Sequence, residues 1–111
     1  MLRKRRSGRR RGRVVDKAYL AWLHTRPGAL FSGPCHSVHH VRFCGSQKDD
    51  TRALPLEAGG HQVQEGANSI ESLGKAKFQE FWHIDLEAAI AKYQRAYMDD
   101  GHVFADGIIR P

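Results

Sequence analysis

The sequence predicts an α+β domain, a short β-hairpin followed by a helix and packed with flanking helices, and three observations predict it. The run "SVHHVRF" at 37–43 is β-branched and aromatic, as a strand is. A second apolar run, "RALPLEA" at 52–58, follows it across the polar "CGSQKDDT". Finally, Leu86, Ala89, Ile90, Tyr93 and Tyr97 recur at helical spacing behind Asp85, a natural N-cap.

The elements follow in order. The chain has 111 residues and net charge +6, from 18 Lys and Arg against 12 Asp and Glu. Eight of those basic residues fall in the opening "MLRKRRSGRRRGR", which holds no acid, so the remainder carries 10 basic against 12 acidic residues, net −2. A run of like charges repels itself and buries nothing, so residues 1–14 are expected to be a disordered basic arm and 15–111 the folded domain. Phosphate contacts from Arg5, Arg6, Arg9, Arg10 and Arg11 would give nucleic-acid affinity through counterion release, without reading bases. "DKAYLAWLHT" predicts a short helix capped by Asp16 and ended by the turn residues of "RPG". Pro55 places the second strand at an edge or strand end. "GGHQVQEG" is ambiguous because of its glycines; if it is helical, His61 and Glu65, four apart, share one face. "ANSIESLG" is expected to be a loop, and "KAKFQEFWH" a helix with Phe78, Phe81 and Trp82 on its apolar side.

No apolar run approaches the roughly 20 residues of a membrane helix, and the basic opening leads into no apolar signal core, so a cytoplasmic protein without membrane partners is expected. Cys35 and Cys44 suit that compartment as free thiols, and their separation is that of neither a C-x-x-C motif nor a zinc knuckle.

Strand, loop, strand and short helix together form the arrangement that a ββα-metal site needs, because a hairpin brings a strand residue against helix residues four apart. A trio of His39, His61 and Glu65 would leave coordination positions open for water and a phosphate oxygen. Adjacent strand residues face opposite sides, so His39 and His40 are not a bidentate pair: one would hold the metal and the other act as general base. An unperturbed histidine, with a pKa of about 6.5, is largely neutral near pH 7 and suits the second task. Alternation alone leaves open which histidine does which. Arg42 and Arg52 are candidates for bidentate phosphate contacts.

The ordered set "HHVRF", "KDDTRALPLEAGGH" and "FQEFWHIDLEAAIAKY" resembles the small phage and prophage HNH-type nucleases related to the phage recombination-enhancement (Ref) proteins, within the ββα-metal or His-Me finger superfamily. The likeness runs from about Val15 to Tyr97. It implies that His39 binds the metal, that His40 is the general base, that His61 and Glu65 complete the ligand set, and that Asp50 orients the base or its loop. It further implies a metal-dependent endonuclease that hydrolyses DNA phosphodiester bonds, leaving 5′-phosphate and 3′-hydroxyl ends, in phage recombination or DNA processing in the host cytoplasm. The DNA would be single- or double-stranded, and no small-molecule cofactor is implied. Relatives often have a cysteine pair before the tandem histidines, "PLC", and histidine where this chain has Glu65. Here "RPGALFSGP" replaces the pair, Glu57 follows Leu56 and Gly60 precedes His61. A carboxylate ligand favours Mg²⁺ or Mn²⁺, with Zn²⁺ also possible. Two other classes fit the same residues: a nucleic-acid-binding protein that keeps the fold without the chemistry, and an interaction module in which Cys35, His36, His39 and Cys44 hold zinc.

Overall fold

A computed structural model describes residues 13–42, 47–60 and 68–110. The chain is α+β. Helix α1 (Lys17–His24) leads to strand β1 (Ser37–His40), a 3₁₀ turn (Asp50–Arg52), strand β2 (Ala53–Leu56), helix α2 (Ile70–Trp82) and helix α3 (Leu86–Asp99). The strands pair antiparallel, with Ser37 opposite Leu56, Val38 opposite Pro55, His39 opposite Leu54 and His40 opposite Ala53. Pro55 is tolerated because a two-stranded ribbon consists of edges, and its carbonyl accepts the Ala29 N–H at 2.9 Å.

β2 is buried along its whole length and serves as the floor of the core. Tyr19 and Leu23 of α1, Phe78 of α2, and Leu86, Ile90 and Tyr97 of α3 close over it. The α3 stripe arises as the spacing requires, and Asp85 accepts the Ala88 N–H at 3.1 Å as its cap. Asp16 caps α1 in the same way, accepting from Tyr19 N–H at 3.0 Å.

Two expectations are corrected. Residues 70–73 form a helical turn rather than loop: Ser69 caps it by accepting the Ser72 N–H at 3.2 Å, and Gly74, non-helical at φ 80° and ψ 164°, is the kink between this turn and the helix that runs on to Trp82. Phe78 is fully buried, but Phe81 is 51 % exposed and meets Trp82 edge-on at 5.1 Å. Phe78 thus faces the core and Phe81 the surface. Val14, at the end of the charge run, is joined to the body by a parallel bridge to Asp49. The proposed short helix after β2, with His61 and Glu65, lies outside the described residues, as do Phe43, Cys44 and the arm arginines Arg5, Arg6, Arg9, Arg10 and Arg11. Among the described residues no helix is long and apolar enough to cross a membrane.

Candidate functional site

The hairpin presents His39 and His40 where β1 ends, and the 3₁₀ turn that opens β2 delivers Asp50 beside them. That turn is tightly specified. Asp49 accepts from both the N–H and the hydroxyl of Thr51 at 2.8 and 2.6 Å, and the buried Gln94 side chain donates to the Thr51 carbonyl at 2.7 Å. The Asp50 N–H donates to the Val14 carbonyl at 3.0 Å. With its backbone so held, Asp50 turns its carboxylate inward, 7 % exposed, and its Oδ1 lies 2.8 Å from His40 Nε2.

Burial opposes ionisation of Asp50, but the Asp16 N–H donated to Oδ2 at 2.8 Å and the His40 ring outweigh it and hold the carboxyl below its ordinary value. An ionised carboxylate only accepts hydrogen bonds. His40 therefore carries its proton on Nε2, and in the neutral ring the Nδ1 lone pair is the proton acceptor.

His39 and His40 line an open cavity of about 350 Å³ with Arg42, Glu71 and Lys75. Lys75 reaches across from α2 to donate to the Arg42 carbonyl, so two cationic side chains border the histidines. Arg52 takes another course, donating to Glu87 of α3 at 3.0 Å. Cys35 donates its thiol to the Ser37 carbonyl, and burial pushes that thiol's pKa up.

The hairpin thus brings together four residues singled out by sequence: His39, His40, Asp50 and Arg42. His61 and Glu65 lie outside the described residues, and among the described residues no group of three or more His, Cys, Asp or Glu is placed to hold a metal ion. Sequence reading missed Glu71, which lies in the stretch expected to be loop, and Lys75, the first residue of the expected helix, whose only signal was their four-residue spacing. It also missed the part played by Asp16, whose link to Asp50 spans 34 positions. No family model, curated protein or solved structure matches the chain.

Proposed function

We propose that the protein is a metal-dependent endonuclease of the HNH type, hydrolysing DNA phosphodiester bonds with little sequence specificity. The observation that carries this reading is the His40–Asp50 pair at 2.8 Å, at the edge of a cavity that also holds His39 and Arg42. A carboxylate on one ring nitrogen fixes the tautomer and orientation of a histidine whose other nitrogen takes a proton. In the proposed reaction His40 Nδ1 accepts a proton from water while the water oxygen bonds to phosphorus. The P–O3′ bond then breaks, and the leaving oxygen is protonated by solvent. Arg42 and Lys75 border the space where the phosphate would lie, and their two positive charges outnumber the single carboxylate of Glu71 beside them, which favours an anion there.

A divalent ion would be held by His39 with His61 and Glu65, a nitrogen and carboxylate set suited to Mg²⁺ or Mn²⁺, and would neutralise charge on the phosphate and leaving oxygen. The resemblance of "HHVRF" and "KDDTRALPLEAGGH" to phage-encoded nucleases supports the same chemistry and suggests a role in phage recombination or DNA processing.

The test is cleavage of plasmid and single-stranded DNA with EDTA, Mg²⁺, Mn²⁺ or Zn²⁺, beside His40→Ala. Metal-dependent cutting by the parent that drops about 100-fold or more in the variant is expected, the usual scale of a lost general base. Salt-sensitive DNA binding without cutting under any metal would reassign the protein to a non-catalytic binder. Loss of folding in a Cys35→Ser, Cys44→Ser double variant would instead favour the zinc module.

A further inference from the structure

The C-terminal segment beyond α3 has no part in the chemistry proposed above, yet it ends a hydrogen-bonded chain that begins at His40. The Ala105 N–H donates to Asp16 Oδ2 at 2.8 Å. Asp16 in turn donates its own N–H to Asp50 Oδ2 at 2.8 Å, and Asp50 Oδ1 accepts from His40 Nε2 at 2.8 Å. Both oxygens of Asp50 are therefore engaged, one by the base and one by the Asp16 backbone. Rotating the carboxylate away from His40 would break the second bond as well. Asp16 and Asp50 are 3 % and 7 % exposed, so water does not readily replace either contact.

The donor at the far end is itself fixed. Phe104 is buried and packs against Tyr19 and Tyr97, each with ring centroids 5.0 Å away. Arg110 lies over the Phe104 ring at 4.4 Å and pairs with Asp106 at 2.8 Å, folding the segment back on itself. Ala105 is thus held between a buried ring and a cross-linked turn, 89 positions from the Asp16 that it restrains.

We propose that Asp16, locked by the C-terminal segment through Ala105, is a positioning residue for the His40–Asp50 pair. This rests on the reading of His40 as general base, but the geometry that it predicts can be observed without turnover. Asp16→Asn keeps one acceptor for the Tyr19 cap and sets an amide N–H₂ against the other donor, loosening one end of the chain. The size expected is that of losing a partner that orients a ligating or catalytic histidine, about 10- to 100-fold.

The experiment uses full-length, ¹⁵N-histidine-labelled protein as parent, Asp16→Asn, Arg110→Ala and Asp85→Ala. The last removes a helix cap that does not touch the chain. The expected result is a hydrogen-bonded His40 ring N–H signal, absent in His40→Ala, that is lost or broadened in Asp16→Asn and weakened in Arg110→Ala, but kept in Asp85→Ala. With it, kcat for DNA cleavage falls about 10- to 100-fold in Asp16→Asn at unchanged KM. A signal and rate in Asp16→Asn matching those of Asp85→Ala would overturn the proposal. Should Asp16→Asn fail to fold, Arg110→Ala decides: an unchanged signal and rate overturn the assignment, and their joint decline supports it. Were the parent to cut nothing, the ring signal alone would still judge the positioning role, and the nuclease reading would fail separately.

Discussion

Glu57 is a buried carboxylate with a purely architectural setting. Its two oxygens accept the N–H groups of Leu30, Phe31 and Gly33 at 3.0, 2.8 and 2.8 Å, and it is 2 % exposed. The loop wraps so closely that a Cβ on Gly28 would come within 2.2 Å of the carboxylate. Glu57→Gln would present N–H₂ to backbone donors, and a loss of about 1–3 kcal/mol is expected, measured by urea unfolding. Asp50 is set differently, between a backbone N–H and a titratable ring, so its effect depends on pH. Its carboxyl is held below the ordinary value of about 3.9, so its contribution to stability is complete above that value and is lost as pH falls through the lower folded-state value. Asp50→Asn should accordingly flatten the acid limb of a stability–pH curve below about pH 4, and an unchanged limb would show that the pairing does not stabilise the fold. The sequence resemblance implied that Asp50 orients the base His40 or its loop, but nothing in the sequence showed that Asp16 shares the carboxylate, because that convergence depends on contacts between distant parts of the chain. Glu57 was legible only as a departure from "PLC", since nothing local distinguishes a carboxylate that gathers a loop from one in solvent.

At the scale of elements, capping and periodicity were the legible features and backbone exceptions were not. Asp16 and Asp85 cap their helices as their positions before apolar stripes imply, and the β1–β2 pairing follows from two apolar runs flanking a polar connection. Helix α2 was half legible because Gly74 has the composition of a terminator, and only the helical turn before it shows that the chain bends and continues. Its φ of 80° and ψ of 164° lie in a region open essentially to glycine alone, while a Cβ there would meet nothing within 4 Å. The cost of Gly74→Ala is therefore one of backbone conformation, and about 1–3 kcal/mol of destabilisation is expected by chemical denaturation. Because Gly74 lies on the cavity wall between Glu71 and Lys75, the same change should also move Lys75 relative to Arg42 and slow cleavage. Full stability in Gly74→Ala would mean that the two halves of α2 join straight without strain.

At the scale of the whole molecule, charge is divided between the opening residues and the rest. Residues 1–12 contain seven basic side chains and no acid, while the chain beyond Arg13 sums to −2. A body of that charge has little long-range attraction for DNA, and the cations of its candidate site, Arg42 and Lys75, act locally. Binding and chemistry should thus separate on deletion of residues 1–12. Each phosphate neutralised on duplex DNA contributes about 0.9 to the slope of log affinity against log salt, so losing seven cations lowers the slope by up to about 6. Cleavage by the shortened chain should show a raised KM at low salt with kcat little changed, because the opening residues supply attraction that is equal in ground and transition states. Contacts with phosphate alone also imply similar rates on unrelated duplexes at matched salt, with or without the deletion. A kcat that collapses with the deletion would assign the opening residues to the reacting complex itself, and a single preferred cleavage sequence would show that base edges, not the backbone alone, are read.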